Sequence, residues 1–506
     1  MPSLKVYSAV ADFATSAATR HLLPGIIMPK SINISPSSIL RPHPCPCSKP
    51  STLHLLPCRR SFNCSSFTYP KLTHGVPHCS TNPNLDNGTA ADKHALTSQN
   101  LSLGAQQNES QNPDSGESRA SSPSSSVSSV NSHGLVFGLG SLGSWDSGAV
   151  GSPVVKRFLS DEEERWYMWY HGSSSEDPMG KDIVGLAVSS NGIHWERGKG
   201  GVQSADDVGM VLNVSEDWWA LDTHSIRPAE VVIMSSSKIR GSSAVYWLYY
   251  TGYSNSEQSS VLSQILNSEI SKMSLLDDQV KVVVETGRVC KSLPGLAMSQ
   301  DGRHWARLEG EHHSGALFDV GSETEWDSAY ISSPQVVFHQ PGDLRMYYHS
   351  YDAKKSHFAV GVARSRDGMN WIKLGKVLGA GAAGTFDELG AMNACVVKSN
   401  EDGTYFMAYE AVNATGGRSL GLAASADGLR AWKRVGGGPI LEPGDGDSWD
   451  NGGVGSPCLV HMEGEASEWR VYYTGVGRHG RSGIGMAVSA KGSVTGGFER
   501  WKGFHL

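Results

Sequence analysis

Acidic residues are almost absent from the first 80 residues, which contain only Asp12 against eight lysines and arginines. The same stretch is rich in serine and threonine, a composition typical of organelle transit peptides. No uninterrupted apolar run of signal-peptide or membrane-spanning length occurs in the chain, so secretion and membrane insertion are disfavoured. Residues 1–80 are therefore predicted to be a transit peptide, addressed to the chloroplast in preference to the mitochondrion.

Large apolar side chains are scarce in residues 81–133, which are rich in serine, asparagine and glutamine. Such a composition cannot bury enough surface to offset the entropy lost on ordering. The segment is predicted to be a disordered linker, and the folded part of the chain is expected to span residues 134–506.

Cysteines are few and scattered. Five of the eight lie in residues 1–80, which leaves Cys290, Cys395 and Cys458 in the rest of the chain. An odd, widely spaced set argues against a disulfide framework and for a reducing compartment. Cys45-Pro-Cys47 lacks the spacing of a zinc-binding pair, and no second pair completes a site.

A basic stripe is also missing, since the formal net charge is −7 at pH 7. The charge pattern therefore disfavours nucleic acid as a partner. Histidines recur only singly, as at His171 and His349, which is a weak signal for a metal site. No metal or other cofactor is predicted.

What the chain does contain is a fivefold repeat marked by an aspartate. Successive copies lie about 60 residues apart, as from Asp327 to Asp387. An apolar strand signal, an aromatic strand and a Gly-x-Ala-like segment follow each aspartate. Four short strands in each of five units predict an all-β, five-bladed β-propeller of four-stranded blades. The repeating aspartates are Asp146, Asp222, Asp327, Asp387 and Asp450.

Two departures from the repeat carry further expectations. The last unit lacks an outermost strand, and Gly134-Leu-Val-Phe137 matches that strand's motif. The N-terminal strand is therefore predicted to complete the last blade and close the ring. The second unit is lengthened by an insert at residues 254–293, either a lid or protein-partner surface or a tolerated surface excursion.

Five units with aromatic second strands and Ser-x-Asp/Asn-Gly-x-x-Trp turns resemble the five-bladed glycoside hydrolase superfamily. That group contains the arabinanases and xylosidases of families 43 and 62 and the invertases and levansucrases of families 32 and 68. The turn Ser299–Trp305 also resembles the Asp-box of sialidase propellers, which is a structural hairpin. The resemblance implies a carbohydrate bound in the axial funnel, with carboxylates from the first three blades beside the innermost strands.

The slots that the resemblance assigns to those carboxylates are altered. They contain Ser152-Pro153 in the first unit and Ser333-Pro334 in the third, and serine cannot act as the acid or base. The second unit has an acid slightly displaced, in Arg227-Pro-Ala-Glu230. Arg227 and Glu230 are also expected to be able to pair with each other.

The remaining polar residues fall into two groups, those that recur in all five units and those that break the repeat. An aspartate present in all five units is expected to be structural, accepting hydrogen bonds from loop N–H groups, although Asp146 also resembles the Trp-Asp nucleophile segment of levansucrases. Polar residues that break the repeat are expected to line the cavity or to pair. The catalytic candidates are Asp146, Asp222, Glu230, Asp327 and Glu410. The substrate-binding candidates are His171, His224, Arg227, Tyr330, His349 and Asn393.

Two hypotheses remain open at this stage. The chain is either a plastid glycoside hydrolase or a catalytically inactive propeller that binds sugar or docks a protein. The first requires two carboxyl groups facing one cavity at a separation of roughly 5–10 Å. It fails if these acids are all tied to backbone N–H groups or salt bridges.

Overall fold

The computed structural model describes seven stretches of the chain. The predicted transit peptide, most of the predicted linker and residues 255–290 of the insert lie outside the described residues. The described stretches are residues 132–159, 164–177, 180–204, 206–234, 245–254, 291–462 and 468–503. Within them the structure is all-β, as predicted, with two short 3₁₀ helices at Ala490–Gly492 and Val494–Gly496. None of the described helices is long and apolar enough to cross a membrane.

The strands form five consecutive units that are antiparallel within each unit, and a parallel pairing of Phe358 with Gly390 joins the third and fourth units into one eight-stranded sheet. Strand β1 is Leu135–Phe137. The first unit contains β2 (Ala149–Leu159), β3 (Glu164–Ser173), β4 (Ile183–Ser189), β5 (Glu196–Arg197) and β6 (Gly209–Leu212). The second contains β7 (Ser225–Met234), β8 (Val245–Ser254), β9 (Lys291–Ser299) and β10 (Ala306–Leu308).

The remaining units repeat this order. The third contains β11 (Ser332–Gln340), β12 (Asp343–Asp352), β13 (His357–Ser365) and β14 (Trp371–Leu378). The fourth contains β15 (Gly390–Lys398), β16 (Tyr405–Val412), β17 (Arg418–Ser425) and β18 (Lys433–Arg434). The fifth contains β19 (Gly453–Met462), β20 (Glu468–Val476), β21 (Ser482–Ser489) and β22 (Phe498–Arg500).

Strand β1 belongs to the fifth unit in space, although it precedes the first in sequence. It pairs antiparallel with β21, with Leu135 opposite Gly485. The Trp449 indole also donates to the carbonyl oxygen of His133 at 3.0 Å. The segment around residue 134 is therefore joined to the C-terminal unit by both backbone and side-chain hydrogen bonds.

The first strands of neighbouring units contact one another in cyclic order. Strand β2 contacts β7, β7 contacts β11, β11 contacts β15, β15 contacts β19, and β19 contacts β2. Apolar clusters fill the space between units; one joins Trp145 and Trp166 of the first to Tyr472 and Ile484 of the fifth. The core is thus divided among interfaces between units, as expected when one sheet face cannot be buried alone.

Glycines on the third strands allow aromatic rings to approach the backbone. A Cβ atom at Gly361 would lie 2.4 Å from the Trp326 ring, well inside van der Waals contact. The glycine of the repeating Gly-x-Ala signal therefore leaves room for an aromatic ring, either the tryptophan before the repeating aspartate or the second-strand tyrosine.

The Ser-x-Asp-Gly-x-x-Trp turns are structural hairpins, as predicted. At the turn Ser299–Trp305, the Asp301 carboxylate accepts the N–H groups of Arg303 and His304. The Trp169 indole of the first unit donates to the Gly302 carbonyl at 2.8 Å. The hairpin thereby holds two units together.

Candidate functional site

A cavity open to solvent lies where the first strands of the five units come together. Its volume is about 40 Å³, and the empty space reaches about 420 Å³ only when the open mouth is counted. The residues of the repeat that line it lie six to eight positions after each aspartate. They are Ser152, Pro153, Val154, Pro228, Ala229, Glu230, Ser333, Gln335, Asn393, Ala394, Cys395, Ser456, Pro457 and Cys458.

The backbone at the first of these positions is strained. Four units place a non-glycine residue in the left-handed region, which costs about 1–3 kcal/mol each and is common at functional sites. The second unit has Pro228 instead, whose ring fixes a negative φ. The four φ angles are 47° at Ser152, 51° at Ser333, 46° at Asn393 and 44° at Ser456.

These four residues connect each unit to the one before it. Each N–H donates to a polar side chain on the preceding unit's second strand, so the strained backbone is held by a hydrogen bond. The pairs are Ser152 with Thr474 (2.9 Å), Ser333 with Thr251 (2.8 Å), Asn393 with His349 (3.3 Å) and Ser456 with Glu410 (2.9 Å). At the remaining junction, His171 occupies the repeat position of the acceptor, and Pro228 has no N–H to donate.

A second set of contacts links the side chains deeper in the cavity. The Gln335 amide donates to Glu230 at 2.6 Å and accepts from the Val396 N–H at 3.3 Å. The Cys395 and Cys458 sulfurs each accept a backbone N–H from the following unit, at 3.3 Å. These side chains therefore reach across to the neighbouring unit, through an amide at Gln335 and through sulfur at the two cysteines.

Glu230 is the one carboxylate among the described residues that line the cavity, and it is paired. One carboxylate oxygen lies 2.5 Å from Lys156 Nζ, and the other accepts from Gln335. Burial would lower the pKa of Lys156, but the charge and hydrogen bond of Glu230, together with the nearby Cys458 and Cys395, raise it. The partly exposed Lys156 and the buried Glu230 thus form an ion pair at the cavity wall.

The expected pairing of Arg227 with Glu230 is wrong. Arg227 lies 2.6 Å from the Asp182 carboxylate, and Lys156 takes the place beside Glu230. Arg227 precedes the strand irregularity between Pro228 and Glu230. Because that bulge separates the two side chains along the strand, each finds its partner in the first unit.

The five repeating aspartates form a different set, away from the cavity lining. Each is at most 2% exposed and is bound by the second-strand tyrosine and a basic residue of its own unit. In the first, third, fourth and fifth units, the tyrosine hydroxyl donates to its aspartate at 2.9–3.0 Å. The triads are Asp146–Tyr170–Arg197, Asp222–Tyr250–Arg307, Asp327–Tyr348–Lys373, Asp387–Tyr409–Arg434 and Asp450–Tyr473–Arg500.

These triads correct one detail of the sequence interpretation. The carboxylates accept from side chains, where loop N–H groups were expected as donors. The basic partner was missed, although it recurs two positions after the aromatic residue that ends each turn, as in Trp195-Glu-Arg197 and Trp432-Lys-Arg434. Among the five, burial raises the pKa of Asp222, against the opposing charge of Arg307.

Glu410 is part of a unit junction. One of its oxygens accepts from Ser456 N and from Asn393 Nδ2, the latter at 2.8 Å. The other oxygen lies 3.4 Å from an Arg418 nitrogen. The acid therefore has the partners expected of a structural contact.

The structure brings only two of the predicted site residues, Glu230 and Asn393, into the cavity lining. His349 and Tyr330 pack edge to face, with ring centroids 5.8 Å apart. His224 lies 3.0 Å from the Ser225 hydroxyl. Lys156, Asp182 and Gln335 complete the polar network and were not among the candidates. Among the described residues, no group of three or more His, Cys, Asp or Glu is placed to hold a metal ion.

Comparisons with known proteins found two sequence relatives and a set of similar solved structures. No protein-family model matches the chain. Two uncharacterized proteins, from two strains of Mycobacterium tuberculosis, are 30% and 28% identical over 203 and 206 residues, respectively. Each match covers 39% of this chain, and the chain spans only 61% of the length of either relative.

Similar solved structures include a glycoside hydrolase, with 17% identity and a TM-score of 0.49, over 71% of this chain and 92% of that one. A thermostable family-43 glycoside hydrolase is 17% identical with a TM-score of 0.44, and the match covers 68% of this chain and 91% of that one. An N-acetylgalactosamine deacetylase from F. plautii is 15% identical with a TM-score of 0.45, and the match covers 71% of this chain and 94% of that one. These likenesses concern the fold, and none assigns a role to a residue of this chain.

Proposed function

We propose that the chain is a five-bladed β-propeller, closed by β1, which binds a carbohydrate at the mouth of its axial cavity without hydrolysing it. The cyclic contacts of the first strands support the ring, and the pairing of β1 with β21 supports its closure. Under this proposal the chain has the architecture of a glycoside hydrolase but does not catalyse glycoside hydrolysis.

The observation that carries the proposal is the state of the carboxylates. Glycoside hydrolysis uses two carboxyl groups that flank the bond, one of which gives up a proton. Here Asp146, Asp222 and Asp327 lie in salt bridges with Arg197, Arg307 and Lys373. Glu230 and Glu410 have Lys156 and Arg418 beside them. Because only Glu230 lines the described cavity, no second carboxylate is available to act with it.

The cavity lining favours a ligand rich in hydroxyl groups. Serine hydroxyls and an asparagine amide come from four units, and three prolines shape the wall around them. Such groups donate and accept hydrogen bonds with sugar hydroxyls in a partly enclosed space. The cavity itself is small, but its open mouth suits the end of a longer chain.

The test combines binding and turnover on the same protein. Full-length protein would be titrated calorimetrically with oligosaccharides from fructan, arabinan, xylan and galactan, and sugar release from each polymer would be measured in parallel. We expect binding to at least one sugar and no release above a protein-free blank. Removing two lining hydroxyls, in Ser152→Ala/Ser456→Ala, should weaken binding roughly tenfold.

Ser141→Ala is the matched control, because Ser141 is exposed on a turn outside the cavity lining. Its binding should equal that of the parent protein. Sugar release that disappears in Glu230→Gln would restore the hydrolase hypothesis. Absence of binding to every sugar would reject the carbohydrate proposal and favour the scaffold alternative.

We also propose that the protein resides in the plastid. The support is the composition of residues 1–80, with one acid among many serines, threonines and basic residues. A fluorescent fusion of the full chain should co-localise with chlorophyll, and a fusion lacking residues 1–80 should not. Co-localisation with a mitochondrial dye would reject the plastid address.

A further inference from the structure

One half-exposed residue from each unit forms a ring at the mouth of the axial cavity. Each of these residues lies in the irregularity near the beginning of its unit's first strand, and each lines the cavity. Because the first strands contact one another in cyclic order, the five residues follow one another around the axis. In that order, the mouth ring contains Ser456, Ser152, Ala229, Ser333 and Asn393.

The space below the mouth ring is too small for a sugar ring. The Gln335 amide bonds to Glu230 at 2.6 Å, and the cavity has a volume of about 40 Å³. Sites that enclose a small molecule usually have volumes of roughly 300–1,000 Å³. A sugar therefore meets the protein with its end only, and the mouth ring is what that end contacts.

On one side of the mouth ring, Ser333 and Asn393 use their polar groups on each other. The Ser333 hydroxyl donates to Asn393 Oδ1 at 2.6 Å, and Asn393 Nδ2 donates to Glu410 at 2.8 Å. The hydroxyl proton, the amide oxygen and one amide hydrogen are thus already engaged. This side of the mouth ring therefore has less to offer a ligand.

The hydroxyl groups of Ser152 and Ser456 have no such partner among the residues that the structure describes. Their backbone N–H groups donate to Thr474 and Glu410, respectively, each at 2.9 Å. Thr474 also lies opposite Gly455 in the pairing of β19 with β20, so it joins the two serine segments. Each serine has a left-handed backbone conformation and precedes a buried proline. Two neighbouring hydroxyl groups are therefore positioned before a ligand binds.

Ala229 is the apolar member of the mouth ring. It follows Ser152 in the cyclic order, because β2 contacts β7. The ion pair of Lys156 with Glu230 joins the same two strands. A methyl group neither donates nor accepts, so a ligand hydroxyl placed against Ala229 would lose its hydrogen bond to water. The mouth ring thus presents two hydroxyl groups followed by one methyl group.

We propose that the mouth ring recognises a terminal 6-deoxyhexose. In such a sugar, two adjacent ring hydroxyls are followed by a ring carbon that carries a methyl group, which matches Ser456, Ser152 and Ala229 in turn. An ordinary hexose carries a hydroxymethyl group there and must desolvate its hydroxyl against Ala229. A pentose in its six-membered ring form has neither group and leaves Ala229 uncovered. This inference rests on the proposed function, since it names the sugar that the mouth binds.

The test titrates the full-length protein calorimetrically with methyl glycosides in matched pairs, L-fucose against L-galactose and L-rhamnose against L-mannose. The members of each pair differ only in the hydroxyl that the deoxy sugar lacks. We expect the deoxy member of at least one pair to bind roughly tenfold more tightly. Ala229→Ser should remove this preference, because a serine can bond to the additional hydroxyl.

Ala383→Ser is the matched control, since Ala383 is exposed on a turn of the fourth unit, outside the cavity lining. It should keep the preference of the parent protein. If the protein binds oligosaccharides but prefers neither deoxy sugar over its partner, this inference is overturned and carbohydrate binding stands. If it binds no sugar at all, both are overturned. If Ala229→Ser does not fold, the comparison within each pair on the unaltered protein decides by itself.

Discussion

The outer aspartates and the axial side chains occupy equivalent places in every unit, yet they follow opposite rules. Each aspartate makes the same triad five times, with a tyrosine and a basic residue of its own unit. The residue eight positions after each aspartate, which lines the cavity, differs among the units, except that two units share a cysteine. Its contacts cross from one unit to the next. Uniform side chains therefore maintain each unit, while variable ones determine how units meet and what the cavity contains.

The largest effect is expected from breaking one uniform triad. Asp450→Ala removes the acceptor of the Tyr473 hydroxyl and the partner of Arg500, and leaves both without their carboxylate. Loss of one member of a buried ion pair costs about 3–5 kcal/mol. Urea unfolding followed by circular dichroism should show this decrease in the free energy of unfolding.

Asp447→Ala provides the control, because Asp447 is an exposed acid three positions before Asp450. Its free energy of unfolding should be within about 0.5 kcal/mol of the parent protein. If the two variants were equally stable, the triads would not be what holds the units together.

An intermediate effect is expected in the axial set. Lys156→Met leaves the buried Glu230 carboxylate without its cation, although Gln335 still donates to it. Because the lysine side chain is one third exposed, we expect a loss of about 1–2 kcal/mol, less than for the triad. The double variant Lys156→Met/Glu230→Gln should recover part of that loss, since the uncompensated charge is gone.

Urea midpoints of the two single variants and the double variant would complete this thermodynamic cycle. Full additivity would show that Lys156 and Glu230 act separately, and it would remove the electrostatic basis for their pairing.

The smallest effect sharpens the comparison among the aspartates themselves. The folded pKa of Asp222 is raised, so its contribution to stability is present below the unfolded pKa and is lost as pH rises through the folded value. The stability loss in Asp222→Asn should therefore shrink from about pH 4 to about pH 7. Asp222→Asn should also cost less at neutral pH than Asp450→Asn.

Urea midpoints of the parent protein and both asparagine variants across this pH range test the prediction. A loss that grows with pH for Asp222→Asn would mean that the folded state favours its charged form.

The local features of the chain could be predicted from the sequence because they repeat. Strand order, the hairpin turns and the all-β class follow from patterns of a few residues, such as Ser299–Trp305. The basic partners of the aspartates were equally regular and were overlooked. They lie 46–51 positions from their aspartates in four of the five units, as from Asp450 to Arg500.

Contacts between units were not predictable from one sequence. The partner of Glu230 is Lys156, 74 positions earlier, and nothing local distinguishes it from the nearer Arg227. In the same way, nothing local indicates that Cys395 and Cys458 line one cavity, because they come together only through the arrangement of β15 and β19. Such contacts depend on how the five units are arranged against one another, which a single repeat does not encode.

The pairing of β1 with β21 has a consequence for the order in which the protein is made. The first strand of the described fold to leave the ribosome has its partner more than 340 residues later. Every nascent chain short of β21 therefore carries β1 as an unpaired edge, which invites association with other chains. Contacts this distant in sequence form slowly, and the pairing of β1 must wait until β21 has been synthesised. The fold can therefore be completed only after the final unit has been synthesised.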